Sequence, residues 1–223
     1  MGSTSANFNP SYVSDRPDIE RLIDSNTKSV LDVGCSIGKL GGAIKKKTGA
    51  YVIGIEISEK MGKIAKLHLD DVFIGDATNI LLGDKLKKHT FDTIIFADIL
   101  EHIIDPWTTL KSATQLLTKD GYIIVSIPNV RFIATIFNLI FKGSWPYRTR
   151  GIHDKTHLRF FTFNNINNMF NKAGLKIIKI KRNYRFIDKP HPINNLAKYI
   201  ALPIIKEFLT YQYLLVGNRD NLK

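Results

Sequence analysis

A chain of 223 residues is long enough for one α/β domain, and its 44% hydrophobic and 23% charged residues are ordinary for a globular protein. The single cysteine excludes a disulfide framework and a cysteine-based zinc site, and no stretch is apolar for the length of a membrane span. The net charge of +12 suits either a polyanionic partner or a simple compositional bias towards lysine. The N-terminus lacks a signal-peptide pattern, so we expect a cytoplasmic protein.

The N-terminal segment, residues 1–28, is predicted to contain a lead-in helix. Its first six residues have the composition of a flexible leader. Apolar residues then recur at helical spacing at Ile19, Leu22 and Ile23. Tyr12 and Arg16 either reach a ligand or lie on the surface, and the surface is the simpler interpretation.

A strand, a glycine-bearing turn and a helix follow at residues 30–47. Val30–Val33 has the pattern of a buried parallel strand, and the helix is expected to begin near Gly38 and to stop at Gly49. Gly34 and Gly38 permit a sharp turn that a ligand can approach closely. The spacing G-x-S-x-G fits the dinucleotide fingerprint G-x-G-x-x-G poorly. The unit predicts a nucleotide-type cofactor site of another kind.

Three further strands end in acidic residues. Tyr51–Ile55 leads to Glu56, at the place where doubly wound folds accept hydrogen bonds from ribose hydroxyls. The strand that begins at Asp71 leads to Asp76, which is also a candidate cap for the next helix. Phe91–Ala97 leads to an acid-x-x-Glu-His stretch, made of Asp98, Glu101 and His102. A helical turn beginning at residue 98 would place these three side chains on one face.

Alternation of strands and helices continues through a fifth strand, Gly121–Ile127, and predicts a parallel sheet. Residues 130–158 then form an insertion with an apolar helix, and residues 187–208 form a second one. Both are expected on the substrate side, where the apolar helix forms a lid, a membrane contact or a dimer contact. Between them, Thr162 should cap a helix over Phe163–Lys172. Two antiparallel strands, Leu175–Lys181 and Leu209–Val216, complete the predicted sheet.

Taken together, these motifs resemble the class I S-adenosylmethionine (SAM)-dependent methyltransferases. The first turn is similar to their motif I, D-x-G-x-G-x-G, with Ser36 in place of the central glycine. The stretch from Asp98 to Pro106 resembles the type 11 group, which includes ubiquinone methyltransferases, and residues 154–162 resemble enzymes encoded with glycan-modifying proteins. The resemblance covers about residues 12–217. It implies one Rossmann-like domain over residues 1–223, with seven strands in the order 3-2-1-4-5-7-6 and strand 7 antiparallel.

The resemblance implies SAM as the cofactor and a small-molecule or glycan- or lipid-linked acceptor, methylated on oxygen rather than nitrogen or carbon. The acid at 76 would then bind the adenine amino group, and the backbone of Ala77 a ring nitrogen. The expected cofactor contacts are Asp32, Gly34, Cys35, Ser36, Gly38, Glu56, Ile57, Asp76, Ala77 and Asp98. The expected substrate contacts are Tyr147, His153, His157 and Arg159.

Methyl transfer requires alignment of donor and acceptor and removal of the acceptor proton. We expect His102 to be the general base because its ordinary pKa lies near neutrality, with Glu101 or Asp98 orienting it. A second interpretation places a divalent metal on these three residues and His157, or His153, as in some Mg²⁺-binding relatives. Mg²⁺ prefers oxygen ligands, so two histidines are unusual for it and a metal-free site is the expectation.

Two other functions remain open at this stage. The basic charge and the acid-x-x-Glu-His stretch also suit an RNA 2′-O-methyltransferase that uses a divalent metal. Alternatively, the chain is a catalytically inactive SAM-binding module that docks through its apolar lid on a partner or a membrane. The sequence leaves the acceptor and the oligomeric state undetermined.

Overall fold

The computed structural model describes residues 15–203 and 205–220, which form a seven-stranded sheet of order β3-β2-β1-β4-β5-β7-β6. The strands β1 to β5 pair in parallel, and β7 runs antiparallel to both of its neighbours. The predicted order and the antiparallel seventh strand are therefore confirmed. The strands are β1 (Ser29–Val33), β2 (Tyr51–Glu56), β3 (Asp71–Ile74), β4 (Phe91–Ala97), β5 (Leu117–Pro128), β6 (Leu175–Tyr184) and β7 (Thr210–Arg219).

Helices cover both faces of this sheet. Those with bounds in the described chain are α1 (Pro17–Glu20), α2 (Lys39–Thr48), α3 (Glu59–Ala65), α4 (Ala77–Leu82), α5 (Pro106–Thr114), α6 (Ile133–Lys142), α7 (Phe163–Lys172) and α8 (Lys206–Leu209). Short 3₁₀ turns lie at Leu100–His102 and Pro192–Tyr199. One apolar core joins the sheet to α4, α5 and α7, and the other joins it to α1, α2 and α3. The alternation of strand side chains between two cores is the physical basis of the layered fold.

The helix ends follow their local sequence signals. Gly49 adopts a left-handed conformation after α2, with φ +72°, as predicted for a C-terminal cap. Thr162 accepts a hydrogen bond from the backbone N–H of Asn165, whose side chain accepts one from Thr162 in return, so α7 begins with a capping box. These boundaries are determined by neighbours in sequence, which explains why they were predicted well.

Four elements differ from the predictions by three residues or more. β5 begins at Leu117 rather than at Gly121, β6 ends at Tyr184 rather than at Lys181, and β7 ends at Arg219 rather than at Val216. These strands are extended by non-local pairing: the start of β5 lies beside Phe91 of β4, and β6 and β7 pair along their length. Within the described part of the N-terminal segment the lead-in helix is only α1, and Tyr12 lies outside the described residues.

The two insertions pack against each other. Phe132 and Ile152 of the first insertion form a small buried cluster with Tyr211 of β7. Arg148 of the first insertion forms an ion pair with Asp188 of the second. Within residues 15–203 and 205–220, we find no helix with both the length and the apolar content that a membrane crossing requires.

Candidate active site

A cavity of about 1340 Å³ opens at the carboxyl ends of β1, β2 and β4. Ligands in open α/β sheets bind at this edge. The volume exceeds that of a typical small-molecule pocket, so a cofactor and an acceptor can lie in it together. The strand order puts the end of β2 on one side of the turn after β1 and the residues after β4 on the other, and the loop of residues 150–157 also lines the cavity.

The turn after β1 requires small residues. Gly34 and Gly38 have φ values of +76° and +79°, which side chains rarely adopt. A Cβ at Gly34 would lie 2.9 Å from the Ile99 side chain, and one at Gly38 would lie 3.1 Å from the Ala65 backbone. Ser36, between them, also has a positive φ, of +53°. The serine at this position therefore tolerates the conformation that the usual glycine would adopt.

Glu56 lies at the end of β2 and lines the cavity. Its carboxylate accepts hydrogen bonds of 2.8 Å from the backbone N–H groups of Ser36 and Ser58. Burial raises the pKa of this carboxyl group, and the two hydrogen bonds oppose that rise. Ile57, the next residue, lines the same cavity with 61% of its surface exposed. Both residues therefore line the cavity as predicted, and their roles towards ribose and adenine stay predictions.

Three buried polar atoms at the cavity have no hydrogen-bond partner among the described residues: Asp32 Oδ2, Ser36 Oγ and Glu101 Oε2. Buried polar atoms are almost always paired, so such atoms mark a place where a ligand, a water or an ion belongs. Burial raises the pKa of Asp32 to about 7, although a hydrogen bond from Gly41 N–H acts in the opposite direction. Cys35 beside it is also buried, and burial raises the pKa of its thiol, which fits a packing role rather than a nucleophile.

Asp76 and Ala77 do not line the cavity in this structure. The Asp76 carboxylate accepts a 2.9 Å hydrogen bond from Asn79 N–H and caps α4, the alternative role that the sequence allowed. The pair nevertheless follows Gly75, whose N–H donates to the carbonyl of Glu56. Asp76 therefore lies one strand away from the cavity wall, and its adenine role stays a prediction.

Asp98 is held in place by three side chains. Arg16 forms an ion pair with it, and the side chains of Ser126 and Gln212 donate hydrogen bonds of 2.8 and 2.6 Å to its Oδ1. Arg16 is largely buried and lines the cavity. Burial lowers the pKa of its guanidinium, but the nearby charges of Asp98 and Asp18 outweigh this effect and raise the pKa. The interpretation of Arg16 as a surface residue is therefore wrong.

The acid-x-x-Glu-His stretch does not form one helical face. Asp98 has a φ of +54°, and the 3₁₀ turn begins only at Leu100. Because Asp98 interrupts the helical path, the expected geometry is wrong. Asp98, Glu101 and His102 all line the cavity nonetheless. The strand end, rather than a shared helix, brings them there.

His102 is oriented by the loop of residues 150–157. Its Nδ1 lies 3.1 Å from Thr156 Oγ1 and 3.3 Å from the Thr156 carbonyl. Because the Thr156 hydroxyl donates to Asp154 at 2.7 Å, its oxygen is left to accept, and Nδ1 of His102 carries the proton. The lone pair then lies on Nε2. The orienting residues are Asp154 and Thr156, not Glu101 or Asp98 as the sequence suggested.

His157 and Glu101 lie next to this ring. His157 Nδ1 is 3.1 Å from the carbonyl of Ile152, so it donates there, and His157 Nε2 is 3.9 Å from Glu101 Oε1. The two imidazoles meet edge to face at 4.7 Å.

Burial lowers the pKa of His102, and burial together with the charge of His102 lowers that of His157 to about 4. Burial and the charge of Asp98 raise the pKa of Glu101. Both histidines are therefore neutral at pH 7.

The other predicted substrate residues lie away from the cavity. His153 is fully buried, 3.0 Å from Thr135 Oγ1 and against the Trp145 ring, so it packs the insertion from within. Tyr147 is exposed outside the cavity lining, and Arg159 donates to the Ile104 carbonyl. The second insertion, residues 187–208, contributes no described residue to the cavity lining. Of the four predicted substrate residues, only His157 reaches this cavity.

Comparison with known proteins identifies this arrangement. A family model described as a methyltransferase domain matches residues 11–180, which is most of the chain and includes the turn, Glu56 and the acid-x-x-Glu-His stretch. The chain belongs to the class I SAM-dependent methyltransferases. The fold and the motif I resemblance inferred from the sequence are thus confirmed.

Curated relatives of this methyltransferase share its sequence over most of its length. The ubiquinone biosynthesis O-methyltransferase of Coxiella burnetii is 29% identical over 168 residues, which cover 73% of this chain and 69% of that protein. The protein of the same name from Neisseria meningitidis is 27% identical over 169 residues, covering 73% and 70%.

Solved structures share the methyltransferase fold. A SAM-dependent methyltransferase from Archaeoglobus fulgidus superposes with a TM-score of 0.63 at 17% identity, covering 94% of this chain and 97% of that one. Magnesium protoporphyrin IX methyltransferase from Synechocystis, solved with bound SAM, gives 0.56 at 17% identity, covering 91% and 77%. At this identity the likeness shows the fold alone.

Several contacts that shape the methyltransferase site do not follow from the sequence. Arg16, a candidate ligand contact, reaches Asp98 across 82 positions of sequence, and Thr156 reaches His102 across 54. Thr156 lies in the motif of residues 154–162, whose Asp-x-Thr spacing is a local signal for a hydrogen-bonded turn. Nothing local marks Ser126 or Gln212 as partners of Asp98.

Proposed function

We propose that this methyltransferase transfers a methyl group from SAM to an oxygen of a small-molecule or glycan- or lipid-linked acceptor, with His102 as the general base. The observation that carries the proposal is one cavity with the motif I turn and Glu56 at one end and two neutral, oriented histidines at the other. The names of the Coxiella and Neisseria relatives support oxygen as the acceptor atom.

The cofactor end of the cavity fits SAM. The Glu56 carboxylate has lone pairs left for ribose hydroxyls, Ile57 offers an apolar platform to the base, and the turn at Gly34–Gly38 leaves room for the methionine part. Asp32 and the unpaired Ser36 Oγ contribute polar atoms there, and Arg16 and Asp98 bring opposite charges suited to a zwitterion. When bound, SAM supplies a methyl group on a positively charged sulfur.

His102 is the residue placed to take the acceptor proton. Thr156 and Asp154 hold Nδ1 in its protonated form, so the basic nitrogen of the ring is Nε2. Removal of the proton as the oxygen attacks is a general-base role, and such roles contribute about 10²–10⁴-fold in rate. His157 adds an edge contact that restricts the ring.

The low pKa of the histidines leads to a pH prediction. Because burial lowers the pKa of His102 below its ordinary 6.5, the midpoint for protonation of the base lies below pH 6.5. We expect the acidic limb of kcat/KM for the acceptor, measured at saturating SAM, to have its midpoint below that pH. A pH profile with labelled SAM measures this, and His102→Gln should abolish the acidic limb. An inflection above pH 7 in the wild type would contradict it.

The cavity lining carries exposed cations. Arg150, Lys155 and Lys181 are among them, whereas the lining acids Glu101 and Asp154 are buried and the exposed Asp15 is paired with Lys39. A positive rim attracts anionic ligands. We therefore place an acceptor with a phosphate or carboxylate group first in the panel to be screened.

A second candidate for the same cluster is metal-assisted transfer. Ligand atoms of Glu101, His102 and His157 lie within 4.8 Å of one another, and Glu101 Oε2 lacks a partner among the described residues, so the cluster fits a cation. An ion there would lower the pKa of a bound hydroxyl. One carboxylate with two imidazoles suits Mn²⁺ or Zn²⁺ better than Mg²⁺.

Chelation separates the two candidates. If His102 acts as the base, dialysis of the enzyme against EDTA should leave the rate of methyl transfer unchanged, because no step needs an ion. The rate is compared with that of an enzyme dialysed without chelator, at equal SAM binding. A loss of about tenfold or more that Mn²⁺ restores would instead assign the cluster to a metal.

The function itself is tested by following label from SAM into cell extracts and a panel of phenols, sugars and lipid-linked glycans. A product that carries one added methyl group on oxygen supports the proposal. Methylated RNA from the same extract would favour the 2′-O-methyltransferase alternative, and SAM binding without any product would favour the inactive module.

A further inference from the structure

Helix α6 is oriented with its apolar side towards solvent. Ile133, Phe137, Ile140 and Phe141 recur at helical spacing and form an apolar stripe, of which Ile140 and Phe141 are 68% and 72% exposed. The one residue of α6 that is buried is the polar Thr135, bonded to His153. A surface helix normally buries its apolar face against the core. This helix does the opposite, so its stripe needs another cover.

Charge in the first insertion is mostly positive. It contains five cations and one acid between residues 130 and 158. All five cations are exposed (Arg131, Lys142, Arg148, Arg150 and Lys155), although Arg148 is paired with Asp188 of the second insertion. The acid, Asp154, is 3% exposed and hydrogen-bonded within its own loop. Lys142 lies on the stripe itself, with its ammonium 5.7 Å from the Phe137 ring centre.

We propose that α6 docks this methyltransferase on an anionic lipid surface, with the apolar stripe in the acyl boundary and Lys142 at the headgroups. Large apolar side chains bordered by lysine and arginine are the pattern of helices that lie in a membrane interface. The helix has ten residues, Ile133–Lys142, so it lies on the bilayer rather than crossing it.

A second copy of the chain is a poorer cover for the same face. In a twofold dimer the same patch meets itself, so Lys142 and its neighbours would oppose identical cations. Anionic lipid supplies the opposite charge, and each lysine or arginine near such a surface strengthens binding by about fivefold.

The experiment is co-sedimentation of the full chain with lipid vesicles. We expect binding to vesicles of mixed phosphatidylglycerol and phosphatidylcholine, weakened by added salt, and little binding to phosphatidylcholine alone. The double variant Ile140→Asp/Phe141→Asp should lower the binding by about tenfold or more. Lys142→Glu should lower it by about tenfold.

Matched controls lie elsewhere on the surface. Leu67 is 79% exposed near the end of α3, and Lys87 lies in the loop before β4, so Leu67→Asp and Lys87→Glu should bind vesicles as the wild type does. Residues of α6 do not line the cavity, so calorimetry with S-adenosylhomocysteine reports whether each variant is folded. If the double variant does not fold, vesicle binding by Lys142→Glu tests the proposal instead.

Three results would overturn the proposal. The wild type could fail to bind anionic vesicles at low salt, or the α6 variants could bind them as well as the wild type does. The third result is a wild-type chain that binds no vesicles but forms a dimer in light scattering, which the α6 variants dissociate. The vesicle assay contains neither SAM nor acceptor, so its outcome is independent of the proposed function.

Discussion

Replacement of His102 by alanine should lower kcat for methyl transfer by about 10²–10⁴-fold, because the acceptor then loses its positioned base. Binding of S-adenosylhomocysteine should be unchanged, since His102 follows β4 whereas Glu56 and Ile57 follow β2, on the far side of β1. Transfer of label from SAM measures the rate, and calorimetry measures the binding. The two readouts together separate a chemical defect from a folding defect.

The matched control is His68→Ala. His68 is an exposed histidine outside the cavity lining, so its loss should leave the rate as in the wild type. Thr156→Val provides a finer test, because it removes the hydroxyl that orients His102 but leaves the imidazole. We expect an intermediate loss of kcat with the same cofactor affinity. If His102→Ala turns over like the wild type, the base assignment is wrong while the fold and family stand.

Replacement of Glu56 by alanine should weaken the binding of SAM and S-adenosylhomocysteine by about a hundredfold. The carboxylate is lost as an acceptor for ribose, and the backbone N–H groups of Ser36 and Ser58 lose their charged partner at the same time. Hydrogen bonds to a charged group are worth about 1.5–3 kcal/mol each, which supports an effect of this size. Isothermal calorimetry with the purified chain measures it.

Glu59→Ala is the control for this change. Glu59 is an exposed acid three positions along the chain, in a surface ion pair with Lys63, and such pairs contribute little. Its removal should leave the dissociation constant within about twofold of the wild type, a change of about 0.4 kcal/mol or less in binding free energy. Glu56→Gln keeps the shape of the side chain but removes its charge, so its affinity for the cofactor should lie between those of Glu56→Ala and the wild type. Equal affinity of Glu56→Ala and the wild type would remove Glu56 from the cofactor site.

Local sequence signals predicted most of the strands, turns and helix ends of the fold. The apolar strands Val30–Val33 and Phe91–Ala97, the glycines at 34 and 38 and the cap at Thr162 are all encoded by near neighbours, because side-chain periodicity and turn conformation are properties of a few residues. The carboxyl ends of parallel strands meet at one edge, so the sequence also predicted that Glu56 and Asp98 would face a common cavity.

Tertiary packing decided what these side chains do. Asp98 forms an ion pair with Arg16, and His102 is oriented by Thr156, both across distances in sequence that no periodicity encodes. His153 and His157 stand four positions apart in one loop, yet one packs inside the insertion and the other lines the cavity. The orientation of α6 is likewise absent from its sequence, because an apolar stripe predicts burial against a core. The hydrogen bond between Thr135 and His153 and the packing of Phe132 on Tyr211 hold the other side of α6 against the domain, so the stripe faces outward.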